Sequence, residues 1–119
     1  MFINLTNHPS ANWSCLQREE ALRFGKIVDM PFPVILPNAS SVEVQLLAET
    51  YVSKVMEEMM QEQCIVVHIM GEMTFTYKVV SLLKEEGITC LASTTERNVI
   101  IAPDGKKISE FTFVQFREY

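Results

Sequence analysis

The chain predicts an α/β fold, a mainly parallel sheet with helices on both faces and a C-terminal β-hairpin, and two observations carry that prediction. Short apolar stretches alternate with longer segments whose apolar residues recur at three- and four-residue spacing. The resulting order of strand, helix, strand, helix, strand, helix, strand is that of a parallel sheet with right-handed crossovers. After Arg97 the alternation stops, and two apolar arms flank Asp104-Gly105, a strong hairpin signal. With 119 residues the chain is expected to form one domain, residues 1–119.

Each element has a local reason. Phe2-Ile3-Asn4-Leu5-Thr6 reads as a short strand, broken by Asn7-His8-Pro9-Ser10 because proline cannot continue a central ladder. A helix begins at Ser14, with Gln17 at capping-box spacing and Leu16, Ala21, Leu22 and Phe24 on its apolar side, and Gly25 stops it. Lys26 to Asp29 is the second strand. Pro31, Pro33 and Pro37 stiffen the following loop. Ser40 with Glu43 forms a second capping box, and Val44, Leu47, Ala48, Tyr51, Val52, Val55 and Met59 mark a long helix with one buried stripe. Its terminal methionines, Met56, Met59 and Met60, read as core filler or a partner surface. Ile65 to Met70 is the third strand. It runs through Gly71 into a helix that turns Phe75, Val79, Leu82 and Leu83 to the sheet and ends at Gly87. Ile88 to Ala92 is the fourth strand, and Asn98 to Ala102 and Ile108 to Tyr119 are the arms of the hairpin. The second arm carries Phe111, Phe113, Val114 and Phe116, more apolar surface than one exposed edge should hold, so coverage by the sheet's own helices or by a dimer contact is expected.

Composition narrows the function. An apolar fraction of 48% with 21% charged residues describes a globular chain rather than a disordered one. A net charge of −5 argues against a surface for long nucleic acid, which needs a broad basic face, but leaves room for a small anion held by backbone N–H groups. No apolar run reaches membrane-spanning length and no signal pattern opens the chain, so a cytoplasmic protein with no membrane contact is expected. Cys15, Cys64 and Cys90 are odd in number and widely spaced within elements. Buried free thiols are therefore expected rather than disulfides or zinc ligands. The triplets beginning at Asn4, Asn12 and Asn38 are glycosylation signals only in a secreted protein. Neither a P-loop nor a dinucleotide fingerprint is present, and no Asp/Glu/His set has metal-ligand spacing, so no metal and no cofactor are expected.

Three polar junctions at strand ends are the candidate site, because ligands of open α/β sheets sit outside the carboxyl ends of the strands. In the first, His8 is held on a turn by Pro9 and flanked by Asn7 and Ser10. It is a candidate phosphate donor or general base, or alternatively a turn histidine bonding the backbone. In the second, Gly71 allows close approach of backbone to ligand, and Thr74 and Thr76 offer hydroxyls near a helix start, where free N–H groups attract anions. Glu72 there either serves the site or favours the helix dipole. In the third, the hydroxyl run Ser93, Thr94, Thr95 leads through Glu96 to Arg97, whose guanidinium suits bidentate phosphate contacts, a solvated loop with an internal Glu-Arg pair being the alternative. His68, inside an apolar strand, reads as a core histidine with a satisfied ring.

The first strand leading to Asn7-His8-Pro9-Ser10, the Gly71-Glu72-Met73-Thr74 turn and the Rossmann-like pattern ending in a ribbon resemble the CRISPR-associated Rossmann-fold (CARF) group, in particular its small stand-alone ring nucleases. The resemblance implies a Rossmann-like three-layer sandwich and a homodimer. It also implies binding of a cyclic oligoadenylate second messenger of type III CRISPR antiviral signalling, with metal-independent cleavage by attack of a ribose 2′-hydroxyl. It places ligand contacts at Asn7, His8, Ser10, Gly71, Glu72, Thr74 and the run from Ser93 to Arg97, with His8 and Arg97 as the catalytic candidates. With no effector domain expected beside this one, the resemblance implies a role in degrading or sequestering the messenger. A non-catalytic nucleotide-binding module and a dimeric interaction protein are the alternatives.

Overall fold

A computed structural model describes residues 1–119. Its elements are β1 (Phe2–Leu5), a 3-10 turn (Ser10–Asn12), α1 (Cys15–Leu22), β2 (Ile27–Asp29), α2 (Ser41–Met59), β3 (Val66–Ile69), α3 (Met73–Glu85), β4 (Thr89–Ile101) and β5 (Lys107–Glu118). Five strands form one sheet in the order β2-β1-β3-β4-β5, parallel throughout except for the last pair. The fold is therefore α/β, with a mostly parallel mixed sheet and a C-terminal antiparallel strand pair. No helix is long and apolar enough to cross a membrane.

Local signals end the helices where the chain requires it. The Ser40 hydroxyl accepts from the Glu43 N–H at 3.1 Å and the Glu43 carboxylate accepts from the Ser40 N–H at 3.2 Å, a reciprocal cap on α2. Ser14 caps α1 by accepting from the Gln17 N–H. Gly105 takes a φ of +83° in the hairpin turn, a conformation that a side chain disfavours.

Packing puts helices on both faces of the sheet. On one face Ile3, Leu5, Val67, Ile69 and Cys90 of the strands meet Val44, Ala48 and Val55 of α2 and Phe75, Val79 and Leu83 of α3. On the other, Phe2 and Leu91 meet Ala21 of α1, with Trp13 and Phe116 packed around them. Full burial of one such aliphatic or aromatic side chain stabilises the fold by about 1.5–3 kcal/mol.

Two expectations are corrected. Residues Ser93 to Arg97 form no loop: β4 runs unbroken from Thr89 to Ile101, paired with β5 along its length from Leu91. Thr94, Thr95, Val99, Ile100 and Ile101 are β-branched residues that suit a pleated surface, and the arm of phenylalanines on β5 supplies the partner. Beyond Leu91, β4 has left β3 behind, so Ala92 to Ile101 project with β5 as a two-stranded ribbon. The radius of gyration of 16.1 Å exceeds the roughly 13.5 Å of a compact domain of this length, as a projecting arm requires. The cysteines also differ: only Cys90 is buried, whereas Cys15 and Cys64 are exposed. Burial pushes the Cys90 thiol up to about 11, which leaves it protonated and inert.

Candidate functional site

The carboxyl ends of β1, β2 and β3 are held together by a buried polar residue that an apolar strand would not be expected to carry. Asn4 of β1 is 1% exposed. Its Nδ2 donates to the His8 carbonyl at 2.9 Å and to Asp29 Oδ1 at 2.8 Å, so its Oδ1 faces the Thr6 hydroxyl, which donates to it at 2.9 Å. The His8 carbonyl accepts again from Trp13 Nε1 at 3.1 Å, and Thr6 Oγ1, its one proton given to Asn4, accepts from the His8 N–H at 3.1 Å. Two donors on the His8 carbonyl and an acceptor for its N–H fix the turn that carries the His8 side chain.

Asp29, at the end of β2, closes the network from the far side. It accepts from the Ser10 N–H at 3.1 Å and the Ser10 hydroxyl at 2.9 Å. Partial burial pushes its carboxyl up, but the hydrogen bonds from Asn4 and Ser10, aided by the Arg18 charge, outweigh this and hold it below the usual carboxylate range. Ser10 is thus buried and committed to the scaffold.

His68 corrects the expectation of a satisfied core histidine. Its Nδ1 lies 3.0 Å from Asn4 Oδ1, whereas its Nε2 is buried without a hydrogen-bond partner in the chain. Because Asn4 Nδ2 is committed to two acceptors, Asn4 Oδ1 is the atom that faces the ring. Nδ1 therefore carries the proton and Nε2 a free lone pair. Phe2, Trp13 and Phe116 surround the ring, with centroids at 5.8, 5.7 and 5.2 Å. Burial, with a smaller contribution from the charge of His8, lowers the imidazole from 6.5 to about 4.

These groups line a cleft of about 590 Å³ at the sheet edge, within the usual size range of small-molecule sites. The cleft brings together Asn7, His8, Gly71, Ser93 and Thr95 from the three predicted junctions, and adds His68, Trp13, Gln17, Phe111 and Phe113. Ser93, Thr95 and Arg97 alternate onto one face of β4, and the paired residues of β5 opposite them are Phe116, Phe113 and Phe111, which strict alternation would split between faces but which the register shift at Thr94/Thr95 brings together. Hydroxyls thus run beside aromatic rings along the ribbon.

The remaining predicted residues lie elsewhere. Thr94 points to the other face and donates to the Gln115 carbonyl at 3.2 Å. Arg97 is roughly 13 Å further along the strand than Ser93 and donates to Ser109 at 3.0 Å. At the start of α3 two of the free N–H groups are already taken: the Glu72 carboxylate accepts from Thr74 N at 3.0 Å, Phe75 N at 2.8 Å and the Thr74 hydroxyl at 2.8 Å. Those donors hold the Glu72 carboxyl below the usual range, and the chain's own carboxylate takes the place of an external anion on them. Thr74 borders a separate hollow between α2 and α3, and Thr76, buried, borders a third one beside Tyr119. Gly71 has a packing reason of its own, since a Cβ there would overlap the Phe32 ring, 2.7 Å from Cε1 and closer still to two other ring atoms.

No group of three or more His, Cys, Asp or Glu side chains is placed to hold a metal ion. His68 and Asn4 were missed as a unit because their meeting depends on the β1–β3 register, in which Asn4 pairs with His68. A polar residue in each of two apolar strands was the only signal available.

The family model described as "Uncharacterized protein MJ1673 family" matches residues 1–117. No curated protein and no solved structure matches the chain.

Proposed function

The chain belongs to the MJ1673 family, whose description names no activity, and from the geometry of the edge cleft we propose that it binds a cyclic oligoadenylate and opens the ring without metal, as a Rossmann-like messenger-degrading protein of type III CRISPR antiviral signalling. The observation that carries this reading is the convergence of two imidazoles, a row of hydroxyls and a row of aromatic rings on one cleft. Aromatic faces stack nucleobases whatever their sequence, each worth about 1–3 kcal/mol, and Phe111 is 67% exposed for that purpose. Hydroxyls of Ser93 and Thr95 meet ribose or phosphate oxygens, and Arg97 meets a phosphate further along the ribbon.

In the reaction, a ribose 2′-oxygen attacks the adjacent phosphorus. A P–O2′ bond forms, the P–O5′ bond breaks, the 2′-hydroxyl proton passes to a base, and the departing 5′-oxygen takes up a proton. The products are a 2′,3′-cyclic phosphate and a 5′-hydroxyl. His8, on its clamped turn, is the proton-transfer group, and the cleft's part is to hold the nucleophile in line.

Two copies complete this site. The projecting ribbon exposes Val99, Ile100, Ile101, Ile108, Phe111 and Val114, and a lone two-stranded ribbon is marginal in water. Its charges, Glu96, Asp104 and Glu110 against Arg97, Lys106 and Lys107, cancel, so two arms meet without the repulsion of the −5 chain as a whole. A two-fold pair of clefts suits a symmetric ring.

One observation favours a second reading. Neither Lys nor Arg lines the cleft itself, and a site that binds without turnover needs less stabilisation of developing charge than one that cleaves. The test separates the two: incubate the protein with cyclic tri-, tetra- and hexaadenylate, with and without chelator, and measure both binding and product. Loss of Arg97 to alanine should weaken binding by about 1.5–3 kcal/mol. His8→Ala should lower a single-turnover rate by roughly 10²–10⁴-fold with binding retained. Binding without product selects the non-catalytic module, and no binding removes the nucleotide reading.

A further inference from the structure

We infer that the Nε2 of His68 is a ligand-reading hydrogen-bond acceptor, held in that state by Asn4, and that it selects ligands presenting a hydroxyl or amino donor to the floor of the edge cleft. The inference deepens the proposed function and rests on it for the ligand class alone.

A buried polar atom without a partner is destabilising, and native chains keep few of them. His68 is 2% exposed, Nε2 has no partner, and the ring lines the largest cleft of the molecule. Its tautomer is not free to adapt. Asn4 Nδ2 is pinned by the His8 carbonyl and the Asp29 carboxylate, so Asn4 presents only an acceptor to the ring and Nδ1 must donate to it. The lone pair on Nε2 then persists, and the lowered basicity of the ring keeps it unprotonated through neutral pH. What fits it is a donor. Phosphate oxygens, which only accept, are rejected at this point of the cleft.

An adenosine whose 3′-oxygen is esterified, as in a 3′,5′-linked ring, offers two donors of the required kind, the ribose 2′-hydroxyl and the exocyclic N6 amine. Three probes tell them apart: adenosine 3′,5′-cyclic monophosphate, its 2′-deoxy analogue, which lacks the hydroxyl, and inosine 3′,5′-cyclic monophosphate, which lacks the amine. A site built around an acceptor discriminates strongly against an analogue that leaves it unpaired. One of the two analogues should therefore bind on the order of 10-fold or more weakly than adenosine 3′,5′-cyclic monophosphate to the parent protein. That gap should vanish in His68→Phe, a substitution suited to the ring of Phe2, Trp13 and Phe116 around the site. Equal affinities in the parent, or an unchanged gap in His68→Phe, would overturn the assignment.

Nitrogen NMR of labelled protein gives a readout that needs no catalysis. Free protein should show His68 with a protonated Nδ1 and an unprotonated Nε2, and Asn4→Ala should convert this to a mixture of tautomers at the same pH. The probe that supplies the donor should shift the Nε2 resonance. A protonated Nε2 in the free protein, or a Nε2 unmoved by all three probes, would sink the inference. Failure of the ring-cleavage reading is seen separately, as a shifted Nε2 with mononucleotides alongside intact cyclic oligoadenylates.

Discussion

Replacing Gly71 by alanine should destabilise the fold rather than impair ligand binding. The sequence offered ligand approach as the reason for this glycine, whereas its φ is not in the left-handed region and its surroundings supply a different one. A Cβ at position 71 would meet three atoms of the Phe32 ring, the most distant at 2.7 Å, against an ordinary carbon contact of about 3.5–4.0 Å. The ring must retreat by roughly 1 Å. It has little room to do so, being 8% exposed, flanked by Pro31 and Pro33, and packed edge-on against Phe75 with centroids at 5.1 Å. Overpacking of this kind costs about 1–3 kcal/mol. For a 119-residue chain each kcal/mol moves the melting temperature by roughly 4 °C, so Gly71→Ala should melt roughly 4–12 °C lower. Phe32→Leu removes the ring tip and should relieve most of the added penalty, so the two substitutions should be non-additive by more than about 0.5 kcal/mol in thermal unfolding. A Gly71→Ala protein that melts with the parent would refute the packing account, and one that also binds nucleotide more weakly would restore the role of ligand approach.

His68 should make the protein acid-sensitive above the carboxylate range. Its folded value of about 4 lies below the ordinary 6.5, so between these values the unfolded chain binds the proton and the folded chain does not. Stability should fall as pH drops from 6.5 towards 4, by a total on the order of 3 kcal/mol, and urea titrations of His68→Phe should lack that slope. Asp29 acts lower on the scale: its depressed carboxyl contributes stability that is complete above about 3.8 and is lost as pH falls through the lower folded value. Asp29→Asn should be less stable at neutral pH and flatter in acid, and equal acid slopes for the two proteins would remove the carboxylate from the network. Replacing Glu72 by alanine should lower the melting temperature and open the start of α3, so that sulfate protects the variant but not the parent against heating. Sedimentation should find a dimer at micromolar concentration, and Phe111→Glu with Ile101→Glu on the ribbon should return a folded monomer, whereas a parent that sediments as a monomer would remove the two-copy site.

Much of the site was legible because its signals are short-range. Pro9 after His8, the Ser40–Glu43 box and Asp104-Gly105 act within a few residues of themselves, and each appears where its local chemistry places it. Junction residues Asn7, His8, Gly71, Ser93 and Thr95 do share one cleft, since parallel strands end on one edge. Glu72 was ambiguous in the sequence because a carboxylate in a first helical turn serves dipole and ligand alike, and only its bonds to the N–H groups of Thr74 and Phe75 decide between them. Arg97 was misplaced for a similar reason. A hydroxyl-rich run reads as a loop until a partner strand is known, and the partner, β5, is built from residues more than a turn away.

By itself the sequence determined the order of elements, the caps, the hairpin and the polarity of the sheet's carboxyl edge, because periodicity and capping are properties of neighbours in the chain. Only the tertiary structure decided which side chains meet. The register that sets Asn4 beside His68, the Phe32 ring that fills the space at Gly71, and the unbroken β4 that carries Arg97 away from His8 all depend on contacts between residues far apart in sequence. Such contacts are set by how whole faces pack and strands align. A shift of one residue in register would turn Asn4 and His68 to opposite faces while leaving every local signal unchanged.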